Sequence, residues 1–286
     1  MSAERIAEAF ASGRRSRRPL VVPFVTAGFP NATSTAPLVR ALCDAGADMV
    51  EIGMPFSDPL ADGPTIQRSS EAALRNGMSV AGTLSAVREL REGGLRAPLI
   101  LMGYCNPLYA YGMDRFLDDA AAAGVDGLII PDMPPEEAEE LLAGCSRTGI
   151  SVTFLVAPNA PDVRIRTVDA ASTHFSYCVT VTGVTGARGE VEDRTVDFLQ
   201  RMKNLAAKPF VVGFGIKRPE HVAALGPHAA GVVVGSALID AIEGAAGPSG
   251  EGMTDEQAAA AVADLVAPLC EQAARLAGDA GKDGDA

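Results

Sequence analysis

Short apolar runs recur along the chain, each closed by Gly or Pro and each followed by a stretch with helical spacing. The first covers 20–26 (LVVPFVT) and stops at Gly28 and Pro30. Runs of this length, ended this way, read as buried strands. The same pattern predicts strands at 49–54, 98–104, 125–131, 150–156, 174–179, 210–214 and 231–234. Between them the 3.6-residue periodicity predicts helices over 35–45, 64–93 with a break near Gly77, 113–123, 135–147, 160–171 and 194–205. A short helix starts at Pro219 and another follows Gly235-Ser236. Ser34 or Thr35 is placed to cap the helix that ends at Ala45.

Residues 1–12 add a helix ahead of the first strand, with Ile6, Ala9 and Phe10 on one face. Thr254 is an N-cap signal for an Ala-rich amphipathic helix running to 276. Eight strand–helix units in unbroken series predict an α/β chain folded as a single (β/α)8 TIM barrel, with an N-terminal extra helix and a closing C-terminal helix. A doubly wound sheet is the alternative, but eight regular units favour closure. The expected division is a catalytic barrel at 1–243, a flexible break plus C-terminal helix packed on or beside the barrel at 244–277, and a disordered tail at 278–286.

Composition narrows the partners. At 286 residues and 48% hydrophobic, the chain can bury one large core. A net charge of −12 argues against nucleic acid or an anionic membrane. No apolar run approaches the ~20 residues of a membrane span. Arg14, Arg15, Arg17 and Arg18 form a basic patch, read as a solvated linker because no apolar targeting segment follows. The five cysteines, at 43, 105, 145, 178 and 270, lack CxxC or metal-finger spacing. That odd count, with no secretory start, leads us to expect a cytoplasmic protein.

The chemistry concentrates at 48–67 (DMVEIGMPFSDPLADGPTIQ). Glu51 interrupts an apolar strand, and an ionised carboxylate there is costly without a purpose. Alternation puts Met49, Glu51 and Gly53 on one face and Val50 and Ile52 on the other; it does not say which face is inward, but the cheaper arrangement places Val50 and Ile52 under the helices and Glu51 at the barrel mouth. A Glu in a salt bridge is the weaker reading, because the predicted strands carry almost no cations. A carboxyl in an apolar barrel mouth has a raised pKa suited to acid–base work. Asp62, in the loop that follows, can take the second role of an ionised partner. Asp58 reads as ordinary loop capping, and for Asp62 taken alone capping and chemistry are evenly balanced.

Glycine supplies the second constellation. TGVTGARG follows the sixth strand, GFG the seventh and GS the eighth, at a helix start. Such loops with a helix N-terminus form the usual barrel phosphate site. His174, His221 and His228 miss the predicted C-terminal strand ends, which disfavours a histidine metal site or a Ser–His triad. Lys208 precedes its strand and Lys217 lies beyond GFG, so a Schiff-base lysine is poorly supported. No dinucleotide fingerprint follows the first strand. A phosphorylated substrate handled by carboxylates, without metal or cofactor, remains.

PFSDPLADGPTIQ after an EIG strand resembles the signature of the tryptophan synthase α subunit family. So do PFVTAGFP, GVTGAR, GFGI and GSA, in colinear order over 1–243. The first motif is highly specific; the glycine motifs are shared with other phosphate-binding barrels. The resemblance implies retro-aldol cleavage of indole-3-glycerol phosphate to indole and glyceraldehyde 3-phosphate. It implies Glu51 as the acid–base group, Asp62 stabilising the indole N–H, and Tyr177 beside the acid. Phe24, Tyr104 and Phe214 would line the indole pocket, although for Phe24 and Tyr104 plain core packing would win without the resemblance. Gly186, Gly215, Gly235 and Ser236 would contact phosphate, and Thr185 would lie in the closing loop.

The resemblance further implies a β-subunit partner in an α2β2 assembly. That partner would hold pyridoxal phosphate, leaving this chain without a cofactor. Loop 54–64 and the region of Asn106 and Pro107 would serve the docking. Val181 stands where some relatives carry arginine, and nothing beyond 243 aligns with the family motifs. A free-standing lyase that releases indole is the runner-up. A catalytically silent partner of a β subunit is a third reading, opposed by the presence of both Glu51 and Asp62. A different phosphate-binding barrel isomerase is a fourth, which the first motif disfavours.

Overall fold

The computed structural model describes residues 3–179, 193–213, 215–245 and 252–279. Parallel strands follow one another around a ring: β1 (Leu20–Thr26), β2 (Val50–Gly53), β3 (Leu99–Met102) and β4 (Gly127–Ile129). Next come β5, in two pieces (Ser151–Thr153 and Leu155–Val156), β6 (Ser176–Val179), β7 (Phe210–Gly213) and β8 (Gly231–Val234). The first piece of β5 pairs with β4 and the second with β6. Between the pieces, the Phe154 carbonyl accepts the Tyr177 N–H at 3.1 Å. β8 returns to β1 through Leu20↔Gly231 to Pro23↔Val234, which closes the barrel.

Alternation along the strands sorts the side chains into two layers. Val21, Val25, Val50, Ile52, Leu99 and Leu101 point outward and pack under the helices. Leu20, Val22, Met49, Ile100, Ile129, Phe175, Val211 and Val233 fill the barrel. The interior is plugged from below by α1 (Ala3–Arg15), whose Ile6 and Phe10 join that cluster. Phe10 stacks on Phe175 with ring centroids 5.2 Å apart. Beneath β4 the buried Asp126 carboxylate accepts from the Leu99 amide at 2.8 Å and from Arg5 at 2.7 Å, and also pairs with Arg91. Two guanidinium groups and an amide thus offset the cost of desolvating that charge.

The outer ring contains α2 (Thr35–Asp44), α3 (Pro64–Arg75), α4 (Val80–Glu92), α5 (Cys105–Tyr111), α6 (Met113–Ala123) and α7 (Glu139–Thr148). It continues through α8 (Asp162–Ala171), α9 (Asp193–Leu205), α10 (Pro219–Leu225) and α11 (Ser236–Ala245) to the closing α12 (Asp255–Asp279). The predicted break in 64–93 falls at Gly77, whose φ of +82° is the left-handed conformation that glycine adopts freely. Two elements differ from expectation. The helix predicted over 135–147 opens as a 3-10 turn, Pro135–Glu137, and becomes α-helical only at Glu139, because Pro134 holds extended backbone immediately before it. α5 was not anticipated; it is two turns long and Gly112 (φ +93°) cuts it off from α6.

α12 buries Ala258, Val262, Val266, Leu269 and Ala273, a spacing that marks one helical face. It packs on α2, α10 and α11. Thr254 caps it reciprocally: the Gln257 amide donates to the Thr254 hydroxyl at 3.2 Å and the Thr254 amide to the Gln257 side chain at 2.9 Å. In its first turn the Asp255 carboxylate accepts from Asn31, Thr33 and Ser34, tying the helix to the loop after β1. Residues 244 and 245, expected in the flexible break, are the last of α11; 246–251 lie outside the described residues.

Candidate active site

The inner face of β2 carries Met49, Glu51 and Gly53, which answers the question that alternation left open. Glu51 lies one step above the apolar plug, beside Phe24 of β1 and Ile100 of β3 in the strand register. Its side chain is 1% exposed, and neither carboxylate oxygen has a hydrogen-bond partner among the described residues. Desolvation alone pushes its pKa from an ordinary 4.5 to about 8. At neutral pH the group is therefore held as a neutral acid.

Tyr177 approaches from β6 on the opposite wall, paired in register with Leu155 and Val211. Burial, then the charges of Glu51 and Asp62, drive its phenol well above the ordinary range, so it stays protonated. Gly213 on β7 makes room for it: a Cβ there would come within 2.8 Å of the Tyr177 hydroxyl. Gly53 does the same for Phe24, whose ring tip would meet a Cβ at 2.5 Å.

Asp62 sits in the loop between β2 and α3, above Glu51. The loop is fixed by backbone bonds: Gln67 donates to the Asp62 carbonyl at 2.9 Å, and the Ala61 amide donates to the Tyr104 hydroxyl at 3.1 Å. Burial raises the Asp62 pKa, and the Tyr104 hydroxyl partly offsets it. Tyr104 thus lies behind Asp62, packed on Phe56 at 5.5 Å between ring centroids, and borders a narrow crevice beside the main cavity. Among the described residues Asp58 pairs with its neighbour Ser57, as a turn residue does.

One cavity of about 430 Å³ brings these parts together. Glu51, Asp62, Phe24 and Tyr177 line it together with Gly213, Gly215, Gly235 and Ser236. Gly235 and Ser236 stand at the N-terminus of α11, where the helix dipole favours an anion. Sequence reasoning missed Met102, Ile66, Val179 and Val233, which form the apolar wall. Strand parity could have found Met102, two residues beyond Ile100 on the inner face of β3. Thr185, Gly186 and Phe214, together with Val181, lie outside the described residues. Among those described, no group of three or more His, Cys, Asp or Glu is placed to hold a metal ion, and no helix is long and apolar enough to cross a membrane.

The fold and this cavity define a TIM-barrel enzyme whose slot is lined by a buried carboxyl, a second carboxylate and the N-terminus of a helix. The tryptophan synthase alpha chain family matches residues 10–268. The tryptophan synthase alpha chain of Roseiflexus castenholzii is 51% identical over 239 residues, covering 84% of this chain and 92% of that one. The corresponding chain of Prosthecochloris aestuarii is 46% identical over 242 residues, covering 82% and 90%. Among solved structures, tryptophan synthase subunit alpha of Legionella pneumophila superposes with a TM-score of 0.84 at 32% identity, covering 94% of this chain and 97% of that one. Tryptophan synthase of M. tuberculosis in an open form gives 0.81 at 33% identity, covering 94% and 98%. The chain belongs to the tryptophan synthase alpha chain family. It is a lyase of tryptophan biosynthesis.

Proposed function

We propose that the chain cleaves indole-3-glycerol phosphate with Glu51 and Asp62 as its working groups. The neutral Glu51 carboxyl delivers its proton to the indole carbon that bears the glycerol phosphate side chain. Asp62 accepts a hydrogen bond from the indole N–H and stabilises the cation that forms on the ring. The Glu51 carboxylate then takes the proton of the side-chain hydroxyl next to the ring. The carbon–carbon bond breaks, its electron pair restores the aromatic indole, and the side chain leaves as glyceraldehyde 3-phosphate. The protonated ring is the electron sink, so the route requires neither a lysine imine nor a metal.

The observation that carries this reading is the unpartnered, proton-retaining Glu51 carboxyl at the wall of the cavity. Phe24 and Met102 offer the flat ring an apolar wall, and Tyr177 closes the side opposite Glu51. Gly215, Gly235 and Ser236 receive the phosphate at the α11 terminus. In this reading Thr185, Gly186 and Phe214 complete the pocket from the loops after β6 and β7.

The chain works with a β subunit that holds pyridoxal phosphate, in an α2β2 assembly in the cytoplasm, and no cofactor binds here. Supporting this, Leu60 is 91% exposed at the tip of the loop that carries Asp62, and Tyr109 stands exposed on α5 near Asn106 and Pro107. Large apolar side chains left in water at the rim of a site suit a protein partner. Indole release by the purified chain, with and without a tryptophan synthase β subunit, is the test. Release that rises many-fold with β is expected. Fast release indifferent to β would point to a free-standing lyase, and none in either case would leave a silent partner.

A further inference from the structure

The crevice that Tyr104 borders adjoins the main cavity and shares Phe24, Asp62, Ile66 and Met102 with it. Its volume is about 10 Å³, the space of a single water-sized group. Two glycines fix its width. A Cβ on Gly53 would meet the Phe24 ring at 2.5 Å, and a Cβ on Gly103 would meet the Met54 methyl at 2.6 Å. Phe24 and Met54 therefore pack directly onto strand backbone, and neither can retreat to widen the space.

Its lining adds two hydroxyl groups to an otherwise apolar wall. Thr26 stands at the end of β1, two residues beyond Phe24 on the same inner face, and Ser70 comes from α3; both are buried. The direction of their hydrogen bonds can be worked out. Ser69 donates to the Ile66 carbonyl at 2.8 Å, so in the 2.6 Å contact between the Thr26 and Ser69 hydroxyls Thr26 is the donor. The Thr26 oxygen thus keeps lone pairs and has no proton left to give. Ser70 is its complement: among the described residues its oxygen accepts from the Phe56 amide at 3.4 Å, which leaves its proton to be donated.

The place of the crevice relative to a bound indole follows from the groups it touches. Among the described residues it is lined by Asp62 but not by Glu51, and not by Gly215, Gly235 or Ser236. With the ring N–H at Asp62 and the side-chain-bearing carbon at Glu51, C2 lies between the two carboxyl groups. The carbon that flanks the N–H on its other side, away from Glu51 and the phosphate, is C7. The crevice is therefore on the C7 side of the ring.

We propose that this crevice is a subsite for one small hydrogen-bonding substituent at C7, so that the chain accepts indole-3-glycerol phosphates carrying a hydroxyl there. This rests on the reading that Asp62 receives the indole N–H. The C7 hydroxyl donates to the Thr26 oxygen and accepts from Ser70. A methyl group in its place also has one heavy atom, but it leaves both protein hydroxyls facing carbon and is rejected. Thr26 and Ser70 are specificity-determining residues that take no part in the cleavage step.

The test is calorimetric titration of the full chain with non-cleavable analogues: 3-indolylpropyl phosphate and its 7-hydroxy, 7-methyl and 5-hydroxy derivatives. It is repeated on Ser70→Ala and Thr26→Val. The 7-hydroxy compound is expected to bind at least as tightly as the unsubstituted one, and the 7-methyl and 5-hydroxy compounds about tenfold or more weaker than the 7-hydroxy. Each variant should weaken the 7-hydroxy compound about fivefold or more and leave the unsubstituted one unchanged, which also reports an intact fold. Should Thr26→Val lose its fold with the Ser69 contact, Ser70→Ala carries the same prediction alone. Equal affinity of the parent for the 7-hydroxy and 5-hydroxy compounds, or equal weakening of the 7-hydroxy and unsubstituted compounds by Ser70→Ala, would overturn the proposal. Indole release from the unsubstituted substrate is read separately: its absence, with the 7-hydroxy preference kept, would remove the catalytic reading and leave the subsite standing.

Discussion

The ring of Phe24 lies against Gly53, where a Cβ would stand 2.5 Å from the ring tip. β1 and β2 pair so that Phe24 sits beside Glu51, and the glycine above Glu51 is what lets an aromatic ring lie flat over the strand. Gly53→Ala should push the ring into the cavity. The cost from overpacking is about 1–3 kcal/mol. The expected kinetic signature is a raised KM for the indole substrate with a smaller change in kcat. An unchanged KM would mean that Phe24 moves freely and does not shape the pocket.

Glu51 links stability to pH with a definite sign. Its folded pKa is raised, from 4.5 to about 8, so the folded state holds a proton that the unfolded chain has released. Stability from this group is complete below about pH 4.5 and falls as pH rises towards 8. The loss is on the order of 5 kcal/mol over that window. Glu51→Gln carries no such burden. Melting curves should therefore place Glu51→Gln above the parent at pH 8, with the gap closing by pH 5. Parallel curves at all pH values would show that Glu51 is not desolvated in solution.

Tyr104→Phe keeps the ring packed on Phe56 but removes the acceptor of the Ala61 amide. The loop carrying Asp62 then loses an anchor, and Asp62 loses the group that offsets its raised pKa. A fall in kcat of roughly tenfold is expected. The acid limb of the pH–rate profile should also move to higher pH, since Asp62 must be ionised to act. A limb that does not move would place the hydroxyl in packing alone.

Asp126→Ala separates fold from chemistry. It would leave Arg91 and Arg5 beside a buried gap and strip the Leu99 amide of its acceptor. The expected cost is about 3–5 kcal/mol, measured by denaturant unfolding. Because Asp126 lies below the barrel floor, kcat of the folded fraction should be unchanged.

The sequence was most legible where one physical cause acts alone. β1 is an apolar run between Pro19 and Gly28, and its observed bounds are those of the run. Alternation grouped Met49, Glu51 and Gly53, but only closure of the ring, with Val50 and Ile52 packed under the helices, sets that group facing inward. The 98–104 run overshoots β3 at both ends; at the far end Gly103 still donates to the Ile129 carbonyl at 3.1 Å, and Tyr104 then turns to start α5. α5 itself escaped notice because seven residues containing Pro107 carry too little periodicity to distinguish a helix from a loop. Glu51 stood out as a carboxylate in an apolar strand. Met102 did not, since one more apolar residue in such a strand looks like any other.

The most direct measurement of the central claim is a single-turnover comparison of the parent and Glu51→Gln, with substrate binding followed in the same samples. Gln keeps the shape of the side chain and cannot supply the proton. The account predicts near-parental binding with indole formation reduced to background. In the parent, the rate should fall as pH rises through about 8, as the Glu51 proton is lost. Cleavage by Glu51→Gln at more than about a tenth of the parental rate would contradict it.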